Sequence, residues 1–253
     1  VTEPSGVAEQ INASVLALAL RSAAIDTGAQ RARRTGLAAL IAAMHGAGDR
    51  LHVAGSIIGG DRVSGASARG NGDDALVGLA MVCRTGAALM QGAEMLLDAG
   101  NTYAAGALNR QLVEVEYLAW AFAEDEEESR SWLRSTKEQR LARWQPRHLR
   151  QRSQGRFRGS DYADHCEIGG HPTPDGCLLL LDADSTRRQL LLYEALHHGW
   201  STWRYLMLAV VQHALRRSWD PQQLIPDELV REARAAESAW RGCEQLLQVR
   251  NGP

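Results

Sequence analysis

Lysine is nearly missing from this chain: Lys137 is the single one among 28 basic residues, the rest being arginine. Guanidinium and ammonium groups differ in how they fork onto phosphate and carboxylate. Together with the alanine richness, however, the imbalance reads as the codon usage of a high-GC genome, and it assigns no function. Cysteine is also sparse. Cys83, Cys166, Cys177 and Cys243 form no CxxC pair, which excludes the standard zinc-ribbon and dithiol patterns. Cys83 and Cys243 fall on apolar helical faces and are expected as small core residues. Cys166 and Cys177 lie in a histidine-containing loop, where they supply at most half of a zinc site.

Long apolar runs are absent too. The longest, Ala75–Cys83, stops at Arg84, far short of the ~20 residues that cross a bilayer. No basic segment followed by an apolar stretch and a cleavage site opens the chain, so no secretory signal is expected. A cytoplasmic, reduced protein without a membrane partner is the resulting expectation. Alternating β patterns are missing beyond the short run Cys177–Leu181. No dinucleotide fingerprint, nucleophile elbow or kinase-like set is found. The glycines between 46 and 73 are followed by no Gly-Lys-Ser/Thr and preceded by no strand, which excludes a phosphate loop of that kind.

What is present fits a helical protein of 253 residues, 45% hydrophobic and 23% charged, enough chain to bury a core. The net charge of −2 excludes nucleic-acid coating by the whole surface, so any such contact must be local. Ile11–Ile25 and Gln30–His45 read as helices separated by Asp26-Thr27-Gly28, an N-terminal hairpin over residues 1–48. A Gly/Ser-rich connector occupies 49–73 and the main bundle 74–253. In that bundle Asp73 and Asp74 cap a helix over Ala75–Ala99, apolar nearly all round and expected at the centre. Gly100-Asn101-Thr102 turns tightly into a helix over Tyr103–Phe122, giving an antiparallel pair. A further helix starts in the acidic run Glu124–Glu128 and ends before Pro146. Residues 146–182 read as irregular. Asp184 or Ser185 caps a helix to Arg217, with Gly199 as a kink, and the last helix starts near Pro226. Its stripe Leu229, Ala233, Ala236, Trp240, Cys243 and Leu247 packs on the bundle or on a second copy. The expected fold is all-α: an antiparallel helical bundle with long central helices, forming a homodimer.

Charge is distributed unevenly along the chain. Between Arg130 and Arg158 ten basic residues face one acid, Glu138, directly after the acidic run. Arg134, Lys137, Leu141 and Trp144 share one helical face, and Arg140, Arg143 and Arg147 another. Arginines interleaved with Trp132, Trp144 and Phe157 can follow a phosphate backbone and stack on bases. Alternatively, the acids at 124–128 neutralise the block. Arg110 and Glu114 lie one turn apart on the stripe Tyr103, Ala107, Arg110, Glu114, Tyr117, Ala121. That pair is either buried at a cost or solvated, since Asn109, Gln111 and Glu116 read as an exposed side.

A helix with Arg110-Gln111-Leu112-Val113-Glu114, an acidic run near its end, a Trp-bearing basic helix, then Tyr162 and His171-Pro172 resembles a widespread group of uncharacterised bacterial helical proteins. The likeness covers roughly residues 85–215. That group is similar to HEPN-type domains, many of them metal-independent ribonucleases of toxin and phage-defence systems with an Arg–(four to six residues)–His signature. Arg143-x4-His148 and Arg158-x6-His165 match its spacing. Trp144 and Gly159 stand where Asn or Asp commonly follows the arginine, and Pro146 interrupts the first match. The resemblance implies RNA or a nucleotide as partner, no cofactor, and catalysis by His165, His171 and Arg158 with Tyr162 positioning. Arg110, Glu114, Arg143, Arg147 and Trp144 are the expected binding residues. A histidine of near-neutral pKa moves the 2′-hydroxyl proton, and an arginine fork steadies charge on the phosphorane. A non-enzymatic interaction or assembly protein is the competing reading. A metal-dependent bundle enzyme is the third: Glu194 and His197 form an ExxH pair beside His198, with Glu94 and Glu114 as additional acids and no second ExxH. No metal ligand set is assigned.

Overall fold

The computed structural model describes residues 27–57, 72–125, 127–157, 159–181 and 185–248. The expected helix Ile11–Ile25, most of the glycine-rich connector and Arg158 lie outside the described residues. All secondary structure among the described residues is helical, as the patterning predicts.

Five long helices make the frame: α1 (Thr27–Ile57), α2 (Asp74–Asp98), α3 (Thr102–Glu124), α9 (Ser185–Arg216) and α11 (Asp227–Gln248). α2 is central, packing on α1, α3 and α9. It is 25 residues long and starts at Asp73, whose carboxylate accepts from the amides of Ala75 and Leu76, satisfying two of the first-turn donors. Gly100, in the left-handed region at φ 77°, closes it, with the Asn101 amide donating back to the Leu96 carbonyl. α2 is also long and apolar enough to span a bilayer, although 61% of its most apolar window is buried inside the bundle. Leu40, Met44, Leu79, Met90, Leu112, Phe122, Leu196 and Leu206 meet in one core.

Shorter helices bridge α3 to α9: α4 (Glu127–Arg134), α5 (Lys137–Arg143), α6 (Pro146–Arg152), α7 (Gly159–His165), a π-helical turn at Cys166–Gly170, and α8 (Pro174–Leu181). The single basic helix expected before Pro146 is therefore two. Ser135-Thr136 breaks it, because Thr136 and Gln139 form a reciprocal capping box that starts α5. Its two proposed arginine faces do not exist as such. The described residues between 146 and 181 are largely helical rather than irregular; Pro146 opens α6 at its first turn, where its missing N–H costs nothing. Cys177–Leu181 is helical, not extended. α1 runs on to Ile57, beyond the expected end at His45.

Two predicted details resolve into close helix contacts. The first part of the α11 stripe packs on its own bundle: a Cβ at Gly36 would stand 3.2 Å from Ala236 and 2.7 Å from the neighbouring Ala239 methyl, and one at Gly46 2.8 Å from Leu229. Gly199, expected as a kink, marks instead the crossing of α9 over α2, where a Cβ would fall 2.2 Å from the Met90 sulfur. After α9 the chain turns through α10 (Pro221–Leu224) into α11.

Candidate functional site

α3 presents two polar stripes to its neighbours. On the first, Arg110 Nη2 lies 2.8 Å from Glu114 Oε1, with side chains 27% and 33% exposed, so the pair is half-buried. Tyr162 of α7 completes it. Its hydroxyl donates to Glu114 Oε1 at 2.8 Å and accepts from Arg110 Nη2 at 3.2 Å. Arg150 of α6 lies over the Tyr162 ring, 4.4 Å from its centroid. Burial and the Glu114 carboxylate push the Tyr162 phenol up to about 12, so at neutral pH it stays protonated and donates. Burial opposes the charge on Arg110, but Cys166 bonding and the Glu114 carboxylate outweigh it, raising its pKa. Arg110 Nε and one terminal nitrogen of Arg150 are buried without an acceptor.

The π-helical turn positions this corner. Gly169 sits against the backbone of α3: a Cβ there would be 2.3 Å from the Gly106 carbonyl carbon. Only glycine permits that approach, and it brings Cys166 and the end of α7 down onto Arg110. π turns recur where a helix must re-aim side chains at a site.

The second stripe is buried. Ala105, Asn109, Leu112, Glu116, Ala119 and Ala123 all face the core; Asn109 and Glu116 are thus buried, against expectation, and only Gln111 of the three is exposed. The Asn109 amide donates to the Leu191 carbonyl at 2.8 Å. Glu116 Oε2 is 2.6 Å from His198 Nδ1, and His198 Nε2 is 3.1 Å from His165 Nε2. Glu194 Oε2 lies 3.9 Å from the other nitrogen of His165. His165 and His198 are both buried. Carboxylate, imidazole and imidazole thus form a hydrogen-bonded line from α3 through α9 to the end of α7.

The other predicted residues do not join this corner. His171 is exposed beyond the π turn, so His165 and His171 do not present a common face to a phosphate. Glu128, itself buried, accepts from Arg143, Arg152 and the Trp144 indole, each at 2.6 Å. Arg143 and Trp144 are therefore committed internally, as neutralisation by the acidic run predicts. Arg134 pairs with buried Asp74 at 2.8 Å. Arg147 is exposed and reaches only His148. His197 accepts from the Trp240 indole, and no three His, Cys, Asp or Glu side chains gather into a metal-holding group among the described residues.

No family model, curated protein or solved structure matches this chain. Fold and site therefore rest on its own geometry.

Arg150 escaped the reading of the sequence, which named Glu116, His198 and the acidic run holding Glu128 without pairing Glu116 with His198 or singling out Glu128. One signal was available for Glu116: Ala105, Asn109, Leu112, Glu116, Ala119 and Ala123 repeat at 3-4 spacing, a core stripe with two polar members. The partners of Glu128 and the stacking of Arg150 depend on how short helices fold back, which no local spacing encodes.

Proposed function

We propose that the corner between α3, α6 and α7 binds the phosphate of a nucleotide or RNA strand, in line with the HEPN-like resemblance. The carrying observation is the convergence of Arg110 and Arg150 on Tyr162, each with a buried nitrogen that no protein acceptor satisfies. A buried unpaired donor costs about 1–3 kcal/mol, and a phosphate oxygen is the acceptor that two converging arginines match best. Glu114 then serves as the base: a ligand hydroxyl replacing the Tyr162 hydroxyl would find the carboxylate in place. His165 stands one turn along α7 from Tyr162, and its hydrogen bond to His198, itself bonded to Glu116, anchors the helix that carries Tyr162. In this reading His165 is a positioning residue, and His171 has no part.

A second reading, an assembly protein without catalysis, is favoured by the closure of Glu128 on Arg143, Arg152 and Trp144. The two separate in one experiment. A short 5′-phosphorylated fluorescent RNA and a nucleoside monophosphate are titrated against the protein in chelator-containing buffer, and cleavage is followed on a gel. Arg110→Gln and Arg150→Gln are expected to weaken binding about tenfold or more, roughly one charge-assisted hydrogen bond, while Arg147→Gln leaves it unchanged. Binding without cleavage leaves a binding protein. Absence of binding by folded wild type, or equal binding by both arginine variants, overturns the phosphate site.

A further inference from the structure

The C-terminal half of α9 has an outer face that none of the other described residues covers. Leu208, Val211 and Leu215 are 48%, 39% and 62% exposed, and their 3-4 spacing continues back to exposed Arg204. The opposite face, Leu206, Ala209, Val210, His213 and Ala214, is buried. Such 3-4 spacing of apolar residues is the seam of a coiled coil, here presented outward. Beside it runs an open, mostly apolar groove of about 430 Å³ between α9, α10 and the start of α11, lined by Met207, Val211, Ile225 and Val230 among others.

We propose that this face is a two-fold interface between copies of the chain, with α9 crossing its counterpart antiparallel near Val211. A two-fold contact needs a self-complementary patch, and this one is complementary in shape and charge. Leu215, the most exposed apolar side chain on the seam, is the knob; Arg204, Met207, Leu208 and Val211 are spaced as the four-residue hole that receives it. With the axis at Val211, Leu215 of one copy lies opposite Met207 of the other, inside that hole, so each copy supplies one knob and one hole. Arg204 and Asp227 both line the groove, and exposed Asp220 caps the start of α10 next to the lining residue Pro221. Each copy's cation thus meets the other's acids. A heterologous helix could fill the groove, but nothing would then require the knob and both charge signs to lie on the same patch.

Light scattering across a concentration series tests this on the full chain. Wild type should approach twice the monomer mass as concentration rises, and Val211→Glu and Leu215→Glu should stay monomeric with unchanged circular dichroism. Val211→Cys, placed on the axis, should form an intermolecular disulfide on mild oxidation, whereas Val53→Cys, exposed on α1, should not. A wild type that is monomeric at every concentration overturns the proposal. So does a dimer that survives both glutamates, or one in which Val211→Cys fails to cross-link.

Discussion

Asp73 gathers a helix cap, a histidine and an arginine on one carboxylate. It caps α2, lies 2.9 Å from His213 Nε2 and 3.4 Å from Arg217 Nε, and is itself buried. Burial alone would raise its pKa; hydrogen bonding and charge from His213, then the charge of Arg217, outweigh it and hold the carboxyl below its ordinary value. A carboxylate depressed in the folded state contributes stability that is fully present above the unfolded value of about pH 4 and drains away as pH falls through the folded one. Thermal melts from neutral pH into the acid range should therefore fall more steeply for wild type than for Asp73→Asn, which keeps the cap but loses the charge. Equal acid slopes would show that Asp73 is not the group being titrated. Glu128 differs in kind: its arginine partners are 50% and 37% exposed, so they regain water when it is removed, and the loss is correspondingly softer.

At the level of the element, the π turn and α3 are joined by backbone contact rather than by side chains. Gly169→Ala must displace one of them, because the atoms it would strike belong to the Gly106–Ala107 backbone. Overpacking of that kind costs about 1–3 kcal/mol. Gly242, exposed on α11, has nothing within 4 Å of an added Cβ, so Gly242→Ala should stabilise by about 0.5–1 kcal/mol through helix propensity alone. Denaturant titration of the pair should move the midpoints in opposite directions. A Gly169→Ala midpoint equal to wild type would mean the turn is not pinned where it appears. The same variant should weaken nucleotide binding, since the turn brings Cys166 onto Arg110.

Across the whole molecule, α2 packs on α1, α3, α4 and α9, whereas α7, the π turn and α8 lean chiefly on α3. Local opening follows such differences in packing. Hydrogen exchange should thus leave the amides of α2 and the core side of α3 protected longest and release residues 159–181 early, with exposed Leu178 and Leu180 among them. Addition of a nucleotide should slow exchange there selectively. Uniform protection over α2 and α7 would argue against a loosely held site segment.

Much of this architecture was legible in local chemistry. Asp73, Gly100-Asn101 and Pro226 mark helix ends because caps and turns are satisfied within a few residues, and 3.6-residue periodicity shows the five long helices. The Arg110–Glu114 pair was readable because its members sit one turn apart. What a local reading mistook was the company each polar residue keeps. Asn109 and Glu116 read as exposed until α9 supplied Leu191 and His198; Arg143 and Trp144 read as a phosphate groove until Glu128 turned back on them. Tyr162 and His165 share one short helix, yet one faces a half-open arginine corner and the other a closed imidazole line. Hydrogen bonds between groups fifty to eighty residues apart depend on how helices cross, and crossing is set by the packed core as a whole.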